Sequence, residues 1–345
     1  MSISKKSFGQ LRNGTGVSLY TISNSKGMEA SVTDFGAILV SLVVPDKDGN
    51  AEDVVLGFDN VDGYTSNSNF FGATVGRNAN RIGGACFEID GVRYPVAVNE
   101  NTNNLHSDKD TGFHKRIWDT DIIDDDTVRF SLISKDGDMG FPGTLNISVS
   151  YTLTEDNGIE ISYLGTCNKK TVVNMTNHSY FNLSGHDKGN IEDTVLQLNA
   201  GNYTPIVFGA IPTGEIATVK GTPLDFTSPK SIGRDIEEDF CQLTMVQGYD
   251  HNFVIDDYDG SMKKVAVASA SGRIMEVYTD LPGVQFYAGN CIARETGKGG
   301  AIYDKRSGFC LETQYFPDSM NRKNFVSPVL EANKEYKTKT IYKFC

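Results

Sequence analysis

Two side chains of this 345-residue chain combine proton-transfer chemistry with segments suited to hold them. His178 lies in Asn177-His178-Ser179-Tyr180-Phe181-Asn182-Leu183-Ser184-Gly185, and Glu312 in Phe309-Cys310-Leu311-Glu312-Thr313-Gln314-Tyr315-Phe316-Pro317. If residues 172–183 form a strand, successive side chains face opposite sides of a sheet. Asn174, Thr176, His178, Tyr180 and Asn182 then share a polar face, while Val173, Met175, Phe181 and Leu183 dominate the other. Glu312 sits in a run too apolar for a solvated loop, and burying a carboxylate is costly unless it is paired or hydrogen-bonded. An imidazole and a carboxylate in one site make a general acid and a general base. Taken singly, each also has an ordinary structural reading: a histidine satisfied by Asn and Tyr neighbours, and a strand-edge glutamate reaching solvent or a salt bridge.

The elements that must position these groups read as β. Leu145, Ile147, Val149, Tyr151 and Leu153 alternate with polar residues, Glu155-Asp156-Asn157-Gly158 follows, and Ile159, Ile161 and Tyr163 resume the alternation. Period two on both sides of Asn-Gly predicts a hairpin. Strands are also expected over 17–22, 30–44, 87–92, 127–133, 264–268, 273–279 and 284–287, with 35 glycines to supply turns. Helical periodicity is scarce. The best candidate is 228–239, where Ser228-Pro229 would start a short helix that Gly233 weakens. With no Pro/Ser-rich linker, low-complexity tract or short repeat, the economical architecture is all-β: one large antiparallel β-sandwich with little helix, in a single domain over 1–345.

Composition narrows the partners. Hydrophobic residues make up 39% and charged ones 22%, values of a globular chain able to bury a large core. The net charge is -12 and no Lys/Arg run forms a phosphate-tracking stripe, which speaks against nucleic acid. Residues 1–16 carry Lys5, Lys6 and Arg12 without an apolar stretch behind them, and the longest apolar run, 37–45, is too short to span a bilayer. Six cysteines without C-x-x-C spacing read as free thiols of a reducing cytoplasm, with no membrane association. Nucleotide, P-loop, nucleophile-elbow and zinc-protease motifs are missing, and the five histidines have no metal-ligand spacing. The expectation is no metal and no cofactor. Oligomeric state is left open, with a monomer compatible.

The His178 and Glu312 segments resemble signature segments of the aldose 1-epimerases (galactose mutarotases). Gly76-Arg77-Asn78-Ala79-Asn80-Arg81-Ile82, Asn104-Leu105-His106 and the pair Gly248-Tyr249-Asp250-His251-Asn252-Phe253 and Leu281-Pro282-Gly283-Val284-Gln285-Phe286-Tyr287 resemble the same family in the same chain order. The resemblance implies the galactose-mutarotase-like β-supersandwich and a free hexose, D-galactose or D-glucose, as substrate. It makes Glu312 the general base and His178 the acid, which together open the cyclic hemiacetal and reclose it as the other anomer. It makes Arg81, and not Arg77, the arginine that reaches the sugar, with Asn80, His106, Tyr180, Asp250 and Gln285 as further binding residues; His251 has the opposite parity and is left out.

The chain departs from the family at Ser107-Asp108, where Gly-Gly is usual, and at His114, where Asp is commoner. A carboxylate near an imidazole favours the imidazolium, so an ionised Glu312 beside a charged His178 is expected. Three rivals use similar groups: a hexose-6-phosphate epimerase, a silent sugar-binding protein, and a glycosidase built on Asp250 and Glu312.

Overall fold

The computed structural model describes residues 1–345. Strands dominate, every named pair of strands is antiparallel, and only Val61–Ser66 and Cys241–Val246 form α-helices. Three sheets carry the architecture. An N-terminal meander of five strands runs in chain order from Ser2–Gln10 to Ala51–Asp53. A nine-stranded sheet holds the hairpin Leu145–Leu153/Gly158–Cys167, and beside it Glu335–Phe344 lies between Gly158–Cys167 and Arg273–Thr279. A third sheet orders Ala217–Thr218, Asn202–Tyr203, Asp250–Val254, Gly283–Tyr287 and Cys310–Gln314. A cluster of 56 buried apolar residues drawn from all three, from Tyr20 to Phe344, forms the core. The fold is thus the all-β antiparallel sandwich expected.

Alternation explains the central hairpin. Residues 145, 147, 149, 151 and 153 are all buried, and Leu153 pairs with Ile159 across a turn in which Asn157 takes a left-handed φ of 64°. Two expected strands are instead hairpins. Residues 30–44 split into Glu29–Thr33 and Ile38–Pro45 because the chain reverses at Gly36, whose φ is 71° and whose absent Cβ would lie 2.4 Å from the His114 carbonyl oxygen. Residues 87–92 split at Asp90-Gly91, both at positive φ, and Ile89 pairs with Val92.

The helix expected over 228–239 does not form. Lys230–Ser231 is an edge strand of the nine-stranded sheet and Ile232–Arg234 a single 3₁₀ turn. Tertiary bonds override the weak local signal: Gly233 N–H donates to Glu192 O, and the Lys230 ammonium donates to Pro223 O and Asp235 Oδ2.

The 172–183 segment is likewise not one strand. Thr171–Val172 pairs with Val329–Leu330, and Thr176–His178 pairs with Ala73–Val75. On its other side the segment meets the strand Cys310–Gln314: the Thr176 hydroxyl donates to Thr313 O, and Phe181 and Phe309 exchange both backbone hydrogen bonds. The division by parity survives this breakage, since Val173, Met175, Phe181 and Leu183 enter the core cluster while His178 and Tyr180 face a pocket.

Arg77 anchors the neighbouring Gly76–Ile82 segment. Its buried guanidinium donates to the carbonyls of Ser134, Lys135, Pro142 and Gly143 and to the hydroxyls of Ser134 and Thr171. All of its donors are used away from the pocket, so this arginine is structural. Arg77→Met removes one donor from each of four carbonyls and is expected to cost about 3 kcal/mol or more in guanidinium unfolding; a loss under about 1 kcal/mol contradicts this role.

Candidate active site

The third sheet presents two rows of side chains on one face. Cys310, Tyr287 and Asp250 are directly opposite one another across its strands, and Glu312, Gln285 and Asn252 form the next row. Gly283 makes room beside them, because a Cβ there would lie 2.5 Å from Asn252 Oδ1. The other face, with Phe253, Phe286 and Leu311, belongs to the core. His251 follows that face, buried and 6.2 Å from the Tyr203 ring, outside the pocket as its parity predicts.

The clamped 176–181 segment lays His178 over the Glu312 row. His178 Nε2 is 3.6 Å from Glu312 Oε1, and Nδ1 is 3.5 Å from Cys310 Sγ. Both side chains are nearly inaccessible, and Glu312 Oε2 has no protein partner. They share one pocket of ≈ 250 Å³ with Asn80, Arg81, His106, Tyr180 and Asp250. Seven of the eight residues singled out in the sequence therefore converge. Gln285 does not line the pocket; it stands behind Asp250 and donates to its Oδ1 at 2.6 Å, so it orients that carboxylate.

His106 is held by a reciprocal backbone contact: its N–H donates to Asn80 O, and its Nδ1 accepts the Asn80 N–H at 3.2 Å. An accepting Nδ1 leaves the ring proton on Nε2, which makes His106 a hydrogen-bond donor. Burial, reinforced by the charge of His178 and Arg81, keeps it neutral by pushing its pKa well below the ordinary range. Ligand atoms of His106, His178 and Glu312 lie within 4.8 Å of one another. The Asn80 bond nonetheless occupies the Nδ1 lone pair and protonates Nε2, so His106 is a poor third metal ligand.

The departures at 107 and 108 point away from the pocket. Ser107 has a φ of 66°, and its buried hydroxyl accepts the Asn78 N–H and donates to Asn78 O. Asp108 caps the turn by accepting from Asp110 and Thr111. His114 is buried behind Phe70, whose ring lies 4.5 Å from His114, 4.7 Å from His106 and 5.9 Å from His178.

Electrostatics differ from the sequence expectation. Burial pushes the Glu312 carboxyl well above the carboxylate range, the Asp250 charge adds to this, and only Arg81 opposes it. Burial also drops His178 to about 4. Desolvation is the largest cause for both members and favours the neutral pair over the ion pair.

Eight of the fifteen lining residues went unrecognised in the sequence, among them Phe70, Glu100, Lys109, Tyr287 and Cys291. Tyr287 shares strand parity with Gln285, a signal that was available. Glu100 and Cys291 come from loops with no such signal. Glu100 grips Arg81 with two bonds, Nε to Oε2 at 2.6 Å and Nη2 to Oε1 at 3.0 Å, while Arg81 Nη1 faces Asp250 Oδ2 at 3.8 Å.

Fold and pocket together define a galactose-mutarotase-like β-sandwich with a buried His178–Glu312 pair over one sheet face. A structure of an aldose epimerase homologue from C. elegans matches with a TM-score of 0.87 and 30% identity, covering 95% of this chain and 98% of that one. Galactose 1-epimerase from Lactobacillus acidophilus NCFM also matches at 0.87, with 26% identity, 100% of this chain and 99% of that one. In sequence, human galactose mutarotase is 41% identical over 99% of this chain and 98% of its own length, and aldose 1-epimerase of Escherichia coli (strain K12) is 38% identical over 94% of each. Residues 18–343 match the aldose 1-epimerase family. The chain belongs to that family and is an isomerase, a mutarotase.

All six cysteines are free, with Cys241, Cys291 and Cys345 exposed and Cys167 and Cys310 buried. In a thiol titration of the folded protein the three exposed cysteines are expected to react first, and a bound sugar to slow Cys291 alone. Unhindered labelling of Cys291 in the presence of saturating sugar contradicts the pocket assignment.

Proposed function

We propose that the chain interconverts the α and β anomers of free aldohexoses, D-galactose and D-glucose, with Glu312 as general base and His178 as general acid. The observation that carries the reading is the meeting of these two buried groups, 134 positions apart in sequence, at 3.6 Å in one polar pocket. Relatives that are named for galactose and for aldoses support the substrate class.

Glu312 takes the proton of the anomeric hydroxyl. As the O1–C1 bond becomes a carbonyl, the C1–O5 bond breaks and O5 takes the proton of His178 Nε2. The open-chain aldehyde then faces a neutral acid and a neutral imidazole, the pair that burial favours. Rotation about C1–C2 presents the other carbonyl face. Closure returns the O5 proton to His178 and the Glu312 proton to O1, so atoms and charges balance without any oxidant. Arg81 and the His106 Nε2–H are placed to donate to sugar oxygens, and Asp250, oriented by Gln285, to accept from hydroxyls. Asn80 and Tyr180 complete the polar and aromatic wall.

A neutral sugar is favoured over a sugar phosphate, because Glu100 already holds Nε and Nη2 of Arg81 and the other lining cation, Lys109, is exposed. The net charge of -12 disfavours nucleic acid as a partner, six unpaired cysteines suit a reducing cytoplasm, and a core cluster reaching from Tyr20 to Phe344 supports a single domain. No helix is long and apolar enough to cross a membrane.

Polarimetry on fresh α-D-galactose and α-D-glucose tests the activity directly. His178→Asn and Glu312→Gln are each expected to lower kcat by about 10²–10⁴-fold while the folded signal is kept. Near-wild-type rates in either variant overturn the roles.

The pH profile gives a second test. The working pair carries one proton, shared between Glu312 and His178. Below the lower transition both groups are protonated and no base remains; above the upper one no acid remains. With His178 dropped to about 4 and Glu312 raised, activity should persist well below the ordinary histidine value of 6.5, with an alkaline limb above the usual carboxylate value of 4.5 that belongs to Glu312. An acid limb centred at 6.5 contradicts this assignment.

A further inference from the structure

Arginine grips carboxylates and phosphates through two parallel N–H bonds from one edge of its guanidinium. In this pocket that edge of Arg81 is already taken. Nε and Nη2 bind the two Glu100 oxygens at 2.6 and 3.0 Å, and the remaining Nη1 faces Asp250 at 3.8 Å. The Arg81 and Glu100 side chains are 12% and 21% exposed, so the contact is poorly screened by water, and both line the pocket. Lys109 is the other lining cation and is exposed at the rim.

We infer that Glu100 is a positioning and specificity residue: it fixes the Arg81 fork and cancels its charge, so the pocket accepts neutral aldoses and rejects anionic ones such as uronic acids and sugar phosphates. This inference rests on the reading of the pocket as a sugar site.

The physical content is twofold. An incoming carboxylate or phosphate finds the Nε–Nη2 edge of Arg81 occupied by Glu100, and at the remaining Nη1 end it meets the Asp250 carboxylate 3.8 Å away. A neutral hydroxyl needs only single N–H bonds, which Nη1 still offers. Like-charge juxtaposition of this kind suppresses the wrong ligand more strongly than it rewards the right one.

The experiment compares kcat/KM for D-galacturonate and D-galactose in the wild type, Glu100→Gln and Glu100→Asp. Glu100→Gln keeps the shape of the side chain but loses its charge, and is expected to raise the galacturonate-to-galactose ratio about tenfold or more. Glu100→Asp keeps the charge and should hold the wild-type ratio even where a loosened Arg81 raises KM for both sugars. The gain in Glu100→Gln should shrink as ionic strength rises, a response that a merely structural role does not produce. A folded Glu100→Gln protein with an unchanged ratio overturns the inference. The wild-type rate on galactose is the reference, and its absence sinks the functional reading instead. Calorimetric binding of inorganic phosphate to the wild type and Glu100→Gln then decides the inference without turnover: tighter binding by the variant supports it and equal binding overturns it.

Discussion

Two backbone hydrogen bonds exchanged by Phe181 and Phe309 hold the geometry of the candidate site together. They pin the segment bearing His178 to the strand bearing Glu312, while Ala73–Val75 closes its other side. Neither group is held by a direct bond to the other, since 3.6 Å is longer than a hydrogen bond. Their spacing is a property of the backbone frame. Side chains placed by a rigid frame keep their geometry when protons move between them, which is what an acid–base cycle with alternating charge states requires.

The same frame sets the electrostatics. Pressing the pair between sheet and clamp removes water, and desolvation then controls both titrations. The ion pair favoured in water becomes the less favoured form in this buried setting, and Arg81 is the group that pulls Glu312 back towards ionisation. Glu100 in turn moderates Arg81. Charge passes through this wall as an alternating series, Glu100, Arg81, Asp250, with Gln285 fixing its far end.

Much of this was legible from residue order. Alternation located the central hairpin, and parity put His178 and Tyr180 opposite Val173, Met175 and Phe181 even though the segment is no continuous strand. That inference survived because facing depends on local extended backbone, whereas strand pairing depends on neighbours. Apolar flanks gave the burial of Glu312, and the resemblance to the epimerases separated Arg81 from Arg77. Glu100 and Cys291 reach the pocket by tertiary folding of loops, and no local pattern announces that. The helix over 228–239 failed for a related reason: bonds to Glu192, Pro223 and Asp235 outweighed a weak propensity. The placement of Gln285 behind Asp250 depends on the cross-strand register of three strands.

The strand Glu335–Phe344 has a kinetic meaning. It lies inside the nine-stranded sheet and joins a segment near residue 160 to one near residue 276, so the sheet is continuous only once it has inserted. Such long-range pairings carry a large loop-closure entropy and slow the search for the native state. The proposed catalytic groups rest on strands packed against this seam, where Tyr342 donates to Leu311 O, one residue before Glu312. Recovery of turnover during refolding should therefore be a late event that trails the formation of the local hairpins.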